Sequence, residues 1–110
     1  MGRFVKGDVV VVPFPYSDLT TSKKRPALVV ASLSGEDVIL CQITSQHKND
    51  DYSVFLRTAD FISGTLKQES YIRPNHLFTA DTRIILYKAG TLNPSRMDEV
   101  VNKIISIIRS

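Results

Sequence analysis

Three consecutive cations stand immediately before an apolar run of the sequence: Lys23, Lys24 and Arg25. The run itself extends from Pro26 to Ala31. Pro26 lacks an N–H and suits the first residue of a strand, and an unbroken apolar run is typical of a strand covered on both faces. Arg25 is therefore predicted to be the last polar residue before rigid structure, from which its guanidinium can present a fork of donors to a phosphate. Lys23 and Lys24 are predicted to lie further out, on a mobile loop.

A second group of polar residues follows the next predicted strand, residues 37–43. It consists of Thr44, Ser45, Gln46 and His47. We expect the strands at 26–31 and 37–43 to form a hairpin through the turn near Gly35. Arg25 and Thr44 lie at similar distances from that turn along the chain, so the hairpin is predicted to bring them to one rim of the fold.

A cation beside hydroxyl groups at such a rim can hold a phosphodiester and stabilise the charge that develops on it in a transition state. RNA carries its own nucleophile, the 2′-hydroxyl, so a protein needs only to align that group, bind the phosphate and move protons. These residues therefore allow a ribonuclease that works without a metal ion. His47 is a candidate base because imidazole exchanges protons near neutral pH, but the sequence leaves the identity of the base open.

Each of these residues also has a purely structural interpretation. Arg25 taken alone is more simply a solvated or ion-paired surface residue, and Thr44 a β-branched residue at the end of a strand. A histidine beside a turn, such as His47, is commonly just solvated, and His76 can complete a strand hydrogen bond. The lone cysteine, Cys41, lies in an apolar strand pattern and is predicted to pack in the core.

Length and composition restrict the class of protein. The chain has 110 residues, of which 43% are apolar, and a net charge of +3. It is predicted to form one domain, residues 1–110, that permits a nucleic-acid partner without requiring one. No apolar run approaches the roughly 20 residues that span a bilayer. The first residues are too charged for a signal peptide, so a cytoplasmic location is predicted.

Several kinds of site are absent from the sequence. It has no glycine-rich nucleotide-binding loop and no Gly-x-Ser-x-Gly motif. The chain has two histidines, too few for a histidine-based metal site. We therefore expect neither a cofactor nor a bound metal.

Turn signals divide most of the chain into short predicted strands. They are expected at 9–12, 26–31, 37–43, 52–56, 70–73, 76–79 and 83–87, with a helical turn at 60–62. The strand at 70–73 is expected to stop before Pro74, and residues 88–90 to end the β region. The fold class is therefore predicted to be mainly β (α+β), a small antiparallel barrel or strongly bent sheet.

The last segment changes to helical spacing. Asn93 is a good N-cap and Pro94 a good first helical residue. The apolar residues then recur every three or four positions: Met97, Val100, Val101, Ile104, Ile105 and Ile108. The helix is predicted to cover part of the β structure, and Val100, Ile104 and Ile108 to pack within the chain rather than against a second copy.

The order and spacing of six segments resemble the MazF/PemK family of type II toxin–antitoxin ribonucleases. The segments are GDVV at 7–10, VPFP at 12–15, KRPALVV at 24–30, CQITS at 41–45, SYIRP at 70–74 and KAGTL at 88–92. The resemblance implies an SH3-like barrel that forms a homodimer. It also implies a small antitoxin partner whose acidic, partly apolar C-terminal tail blocks the active groove, in a complex that binds DNA.

The resemblance also implies a chemistry. The family's enzymes cleave single-stranded RNA, including mRNA, at short sequences without a metal, by attack of the 2′-hydroxyl, and they leave a 2′,3′-cyclic phosphate and a 5′-hydroxyl. The family's catalytic arginine and threonine match Arg25 and Thr44. Its RNA groove is matched by further positions: Phe14, Lys24, Ser45, Gln46, His47, Arg73, Asn75 and His76.

Two departures from the family pattern bear on the cleavage sequence. Residues 17–22 lack the glycines and the glutamate that some members have there, and His76 stands where some have glutamine. Phe14 is either a base-stacking or a core aromatic. Two other functions stay open: a non-catalytic barrel toxin that binds a protein such as gyrase, and an inactive relative that only binds an antitoxin.

Overall fold

A computed structural model describes residues 4–14, 23–47 and 50–110 of the chain. Within these ranges the elements are β1 (Asp8–Phe14), β2 (Lys23–Ser32), β3 (Asp37–Thr44), β4 (Val54–Leu56), β5 (Phe61–Gly64), β6 (Ser70–Asp81), β7 (Tyr87–Leu92) and α1 (Pro94–Arg109). The strands pair antiparallel in the order β4-β6-β3-β2-β1-β7-β5. The sheet forms a half-barrel with a C-terminal helix, so the predicted fold class is confirmed.

Both faces of the sheet are covered, and each carries its own apolar core. The first core lies between the sheet and α1 and contains Val9, Leu28, Cys41, Ile43, Val54, Leu56, Ile72, Leu92, Met97 and Val100. The second core contains Val10, Val12, Ala27, Val29, Val38, Leu40 and Ala80. Adjacent residues of a strand point to opposite faces, and Leu28 and Val29 accordingly belong to different cores. This explains the unbroken apolar run of β2.

The second strand is longer than the sequence indicated. It begins at Lys23, so Lys23 and Lys24 are strand residues and the prediction that they lie on a loop is wrong. Pro26 lies inside the strand rather than at its start. It is tolerated because β2 pairs with β3 only from Ala27 onwards, which leaves residues 23–26 paired with β1 alone.

Strand β6 runs without interruption through Pro74, so the prediction of two strands separated there is wrong. Cys41 and Gln42, adjacent in β3, face Leu77 and Arg73 of β6. The three residues between those two partners therefore lie outside the β3–β6 ladder and form a bulge. A bulge interrupts the hydrogen-bond ladder, and proline is accepted at such a position.

The predicted strand at 83–87 is also wrong, because Thr82–Ile84 forms a turn of 3₁₀-helix and β7 starts later. The carboxylate of Asp81 accepts the N–H of Arg83 at 2.8 Å. This local hydrogen bond stabilises the turn in competition with an extended conformation. Residues 88–90, expected to end the β region, lie inside β7.

The helical turn expected at 60–62 lies slightly earlier, at Thr58–Asp60, and the residues after it form β5. Likewise, β4 begins at Val54 rather than at residue 52. Strand β5 ends at Gly64, which has φ +64° and comes against β7. A Cβ at Gly64 would lie 2.1 Å from the carbonyl oxygen of Ala89, so this close approach requires glycine.

Helix α1 begins at Pro94, as predicted, and the side chain of Asn93 caps its first turn. Val100 is buried in the first core and Ile104 packs partly against it. Ile108 is 72% exposed, so its predicted packing within the chain is wrong; the helix runs past the core in its last turn. In the described part of the chain, no helix has both the length and the apolar character needed to cross a membrane.

A buried carboxylate, Asp60, joins the turn before β5 to the start of the helix. Its Oδ2 accepts the N–H of Arg57 at 2.9 Å and lies 3.3 Å from Nε of Arg96. The Asn93 N–H donates to the Asp60 carbonyl at 2.8 Å. The Arg96 guanidinium also donates to the carbonyl oxygen of Phe55 in β4. Asp60 and Arg96 thus stabilise the position of β4 relative to the helix.

Replacing Asp60 should destabilise the fold strongly. We expect Asp60→Asn to lower the free energy of unfolding by about 3 kcal/mol, because the largely buried Arg96 would lose its buried counter-charge and keep only the exposed carboxylate of Glu99. Glu99→Gln is the matched control, since Glu99 pairs with the same guanidinium at 2.7 Å but its side chain is 54% exposed. Its loss should stay below about 1 kcal/mol. Urea unfolding followed by circular dichroism measures the free energy of unfolding of both variants. Equal losses would show that Asp60 contributes no more to stability than Glu99.

Candidate active site

The register of the sheet brings Arg25 and Thr44 to the same face of neighbouring strands, just beyond the end of their pairing. The pairing of β2 with β3 ends at Ala27 and Gln42, and Arg25 and Thr44 each lie two residues beyond that pair. Because side chains alternate along a strand, both lie on the same face as Ala27 and Gln42. This is the juxtaposition that the hairpin predicts, while the roles of the two residues stay predictions.

Arg25 is half-buried on β2, where it pairs with Val12 of β1. Within the described residues, the side chain of Arg25 makes no hydrogen bond and no ion pair. The guanidinium therefore keeps its donors available while its backbone is fixed in the sheet. A planar fork of donors in this situation suits a phosphate.

Thr44, the last residue of β3, has a short side chain, and the residue is only 6% exposed. Its Oγ1 accepts the N–H of Gln46 at 3.1 Å, which fixes the backbone as it leaves the strand. A hydroxyl that accepts one bond still has a proton to donate. Thr44 can therefore position the residues after β3 and donate to one ligand oxygen that reaches it.

The same face continues onto two further strands. Thr44 pairs with Tyr71 of β6, and Tyr71 pairs with Phe55 of β4. Residues directly opposite each other in antiparallel strands share a face. One line of side chains therefore crosses four neighbouring strands, Phe55, Tyr71, Thr44 and Arg25, and we name it the site row.

Three aromatic rings meet at one end of the site row. The ring centroids of Phe55 and Tyr71 are 5.3 Å apart, with the planes tilted by 34°. The imidazole of His47 meets Tyr71 edge-on, with centroids 5.1 Å apart. Both separations lie in the range of favourable aromatic contacts, so Tyr71 orients the rings on either side of it.

An ion pair flanks the site row. Arg73, which pairs with Gln42 across the sheet, has Nη2 3.5 Å from Oδ2 of Asp50. Oδ1 of Asp50 accepts the N–H groups of Tyr52 and Ser53 at 2.9 and 3.0 Å. These hydrogen bonds, that from Tyr52 first, hold the pKa of Asp50 below its usual value, and the charge of Arg73 adds to the effect. The ionised carboxylate ties residues 50–53 to β6.

The structure separates Lys24 from Arg25. By strand alternation Lys24 lies on the opposite face of β2, whereas Lys23, which the sequence did not single out as a site residue, shares the face of Arg25. Lys23 pairs with Phe14 at the end of β1. Lys23 is therefore the better placed of the two lysines to attract a phosphate backbone.

The other predicted groove residues fall into three groups. Exposed positions directly after β3 are Ser45, Gln46 and His47, and exposed positions in the β6 bulge are Asn75 and His76. Phe14 is described only as a backbone position of β1. Its side chain, with residues 15–22 and 48–49, lies outside the described residues.

Three members of this surface were not predicted: Phe55, Tyr71 and Asp50. Phe55 and Tyr71 reach it through long-range strand pairing, which no local signal shows. Tyr71 lies two residues before Arg73, and that spacing alone places both on one face of a strand. Asp50 precedes Tyr52 and Ser53 in a turn-forming stretch, where aspartate commonly accepts backbone N–H groups.

A cleft of about 860 Å³ lies at the other end of the β2–β3 hairpin. Its lining includes Gly35 of the turn and the carboxylates of Glu36 and Asp37. Arg83 also lines the cleft, but its guanidinium is paired with Asp81 at 2.6 Å. The two carboxylates therefore disfavour a phosphate ligand, and this cleft is not the candidate site. Among the described residues, no group of three or more histidine, cysteine, aspartate or glutamate side chains could hold a metal ion.

Cys41 takes no part in the candidate site. It lies in the first core, on the face opposite the site row, and its thiol donates to the carbonyl of Arg73 at 2.9 Å. Burial raises the pKa of the thiol to about 12, against smaller opposing effects of Arg73. The predicted core packing of Cys41 is confirmed.

A family model identifies the family of this chain, and solved structures show its fold. Residues 5–108 match the family model described as the PemK-like, MazF-like toxin of type II toxin–antitoxin systems. No curated protein matches the sequence significantly.

Solved structures share the fold at low sequence identity. A mycobacterial endoribonuclease in complex with its cognate antitoxin has a TM-score of 0.77 at 14% identity, over 97% of this chain and 96% of that chain. MazF from Deinococcus radiodurans has a TM-score of 0.77 at 20% identity, over 100% of both chains. The toxin MazF-mt6 from Mycobacterium tuberculosis has a TM-score of 0.72 at 17% identity, over 93% of this chain and 96% of that chain.

Cys41 should resist thiol reagents in the folded protein. With the pKa of the thiol near 12, almost no thiolate is present at pH 8, and the sulfur is buried. We expect Ellman's reagent to label the protein only after denaturation. Because the folded state favours the neutral thiol, stability should fall as the pH rises above the unfolded pKa of about 8.5. Rapid labelling of the native protein at pH 8 would show that this burial is wrong.

Proposed function

This chain belongs to the family of PemK-like, MazF-like toxins of type II toxin–antitoxin systems, and from that premise we propose that it is a metal-independent endoribonuclease that cleaves single-stranded RNA. The observation that carries the proposal is the position of Arg25, unpaired within the described residues, opposite Thr44 on one face of the sheet. The solved relatives named endoribonucleases share this fold and add support at the level of the family.

The proposed reaction is a phosphoryl transfer within the RNA. The 2′-oxygen forms a bond to phosphorus while the bond from phosphorus to the 5′-oxygen breaks. The 2′-hydroxyl gives up a proton and the leaving 5′-oxygen gains one, so no water is consumed. The products are a 2′,3′-cyclic phosphate and a free 5′-hydroxyl.

Arg25 is proposed to bind the non-bridging oxygens of the scissile phosphate. Negative charge accumulates on these oxygens as the fifth bond to phosphorus forms. A fixed cation that contacts them lowers the barrier because it needs no rearrangement during the reaction. Thr44 is proposed to donate its hydroxyl proton to the same phosphate or to the attacking hydroxyl.

Proton transfer is proposed to involve His47. The imidazole follows Thr44 by three residues and is oriented by its contact with Tyr71. Imidazole is the side chain best suited to exchange protons near neutral pH. Its exposed position lets it approach RNA bound along the site row.

The proposed partners are an RNA substrate, an antitoxin and a second copy of the chain. Messenger RNA in the cytoplasm is the proposed substrate. MazF, solved together with MazE from Deinococcus radiodurans, shares the fold. We propose that an antitoxin with an acidic, partly apolar tail covers the face of this chain that carries Lys23 and Arg25. A homodimer of the toxin is proposed as the active assembly.

Removal of the Arg25 guanidinium should abolish most cleavage. We expect the wild-type protein to cut single-stranded RNA in the presence of EDTA, and Arg25→Ala to be slower by about 10²- to 10³-fold, the size seen when one transition-state donor is removed. Lys24→Ala is the matched control, since its side chain lies on the opposite face, and should cut within about threefold of wild type, as suits a screened surface charge.

The measurement is single-turnover cleavage of labelled RNA with analysis of both new ends. Cleavage that requires added metal, or ends that carry a 5′-phosphate, would contradict the mechanism. Growth arrest with intact RNA and damaged DNA would favour a protein target such as gyrase. Expression without growth arrest or cleavage would indicate an inactive, antitoxin-binding relative.

The contribution of Thr44 to the cleavage rate should depend on its hydroxyl group and not on the shape of its side chain. Thr44→Val keeps the volume but removes the donor and the acceptor of the Gln46 N–H, and we expect cleavage to slow by at least about tenfold. Thr44→Ser retains the hydroxyl and should stay within a few-fold of wild type. The rates of both variants are compared after thermal unfolding has shown that each is folded. Equal rates for Thr44→Val and Thr44→Ser would remove the hydroxyl from the mechanism.

A further inference from the structure

Phe55, Tyr71 and His47 form a continuous aromatic surface beside the proposed catalytic residues, which we name the aromatic shelf. Tyr71 is its centre, in contact with Phe55 at 5.3 Å and with His47 at 5.1 Å between centroids. Phe55 remains 37% exposed, and His47 is exposed. A soluble domain seldom leaves several aromatic rings together at its surface unless they bind something.

The aromatic shelf lies in register with the proposed catalytic residues. Tyr71 faces Thr44 directly across β6 and β3, and Arg25 lies one strand further along the site row. Tyr71 and Thr44 are a register pair on neighbouring strands, and Arg25 lies on the same face of the next strand, two residues beyond the end of its pairing with β3. A strand of RNA whose phosphate contacts Arg25 can therefore place a neighbouring base over Tyr71.

The charges around the aromatic shelf also favour a polyanion. Lys23 and Arg25 lie on the same face and, within the described residues, neither has an ion-pair partner. Asp50, the nearby carboxylate, is neutralised by Arg73 at 3.5 Å. Exposed aromatic rings next to unpaired cations are the combination that proteins use to bind single strands, whose bases stack while their phosphates are neutralised.

We infer that the aromatic shelf is a nucleobase-stacking subsite, in which Tyr71 receives an unpaired base adjacent to the scissile phosphate. The inference rests on the proposed function for the identity of that phosphate. The inference adds Tyr71, a residue outside the proposed catalytic pair, as the group that contacts the substrate's base. Stacking uses the ring face, so the subsite accepts any base and excludes duplex RNA, whose bases stay stacked and paired.

Asp50 acts as a positioning residue for this subsite. Its carboxylate holds the N–H groups of Tyr52 and Ser53 and the hydroxyl of Ser53 at 3.1 Å. Those residues lead directly into β4, so the carboxylate orders the chain that delivers Phe55 to Tyr71.

The test uses two labelled single strands that the protein cannot cut. One is a 2′-deoxy strand of randomised sequence, and the other is a strand of the same length made only of abasic sites. Wild-type protein should bind the base-bearing strand about tenfold more tightly, as expected for one stacked base. Tyr71→Ala should lose about tenfold in affinity for that strand and nothing for the abasic strand, while Tyr71→Phe, which keeps the ring, should bind as wild type does.

Tyr87→Ala is the matched control, since Tyr87 is an exposed strand tyrosine, 56% exposed, on β7. It should leave both affinities unchanged. Tyr71→Leu replaces Tyr71→Ala if the latter fails to fold, and should show the same loss. Equal binding of the base-bearing strand by wild type and Tyr71→Ala, or equal binding of the two strands by wild type, would overturn the subsite. A loss confined to binding of a short acidic peptide containing leucines would overturn it as well, by placing a protein on the shelf.

Cleavage of RNA by the wild-type protein is measured separately, so that the two proposals fail independently. If wild type cuts RNA and Tyr71→Ala shows unchanged binding, the subsite is wrong and the proposed function stands. If the wild-type protein cuts no RNA but Tyr71→Ala loses the base-dependent binding that the wild type shows, the subsite stands and the proposed function is wrong.

Discussion

The register between β2 and β3 is the constraint on which the candidate site depends. Ala27 opposite Gln42 sets Arg25 opposite Thr44, and the remaining members of the site row follow from further pairings. Since side chains alternate with a period of two, a slip of one residue would turn Arg25 toward the first core. An unpaired guanidinium is costly to bury there, so the apolar cores and the site specify the same register.

One irregularity in that register decides which residue Arg25 meets. Near the hairpin turn Ala31 pairs with Ile39, but after the bulge at Val30 the pairing shifts by one residue. Without the bulge, Arg25 would lie opposite Ser45 rather than Thr44. Counting residues from the hairpin turn therefore predicts that Arg25 lies near the end of β3, but it cannot decide between Thr44 and Ser45. The bulge that decides has no clear signal in this run of apolar residues.

Features whose signals lie in adjacent residues were predicted correctly, whereas features that depend on pairing between distant parts of the chain were not. The start of α1 was predictable because Asn93 and Pro94 carry their signals in adjacent positions. Tyr71 was not predicted as part of the site because its neighbours come from distant parts of the chain. Pro74 suggested a strand end because the sequence gives no sign of a bulge. The bulge that accommodates the proline forms only when β6 pairs with β3. The position of Lys24 on the face opposite Arg25 was not predicted, because a loop was expected where the strand continues and alternation applies.

The uncovered end of β2 has a consequence for solubility. Residues 23–26 pair with β1 but not with β3, so in the described part of the chain one side of this segment is a free strand edge. Such edges recruit strands from other molecules unless charges or a proline discourage it. Pro26 and the three cations before it are the residue types that do so. The segment proposed to engage RNA therefore also guards against aggregation, and a catalytically silent variant made by neutralising all of it would be prone to self-association.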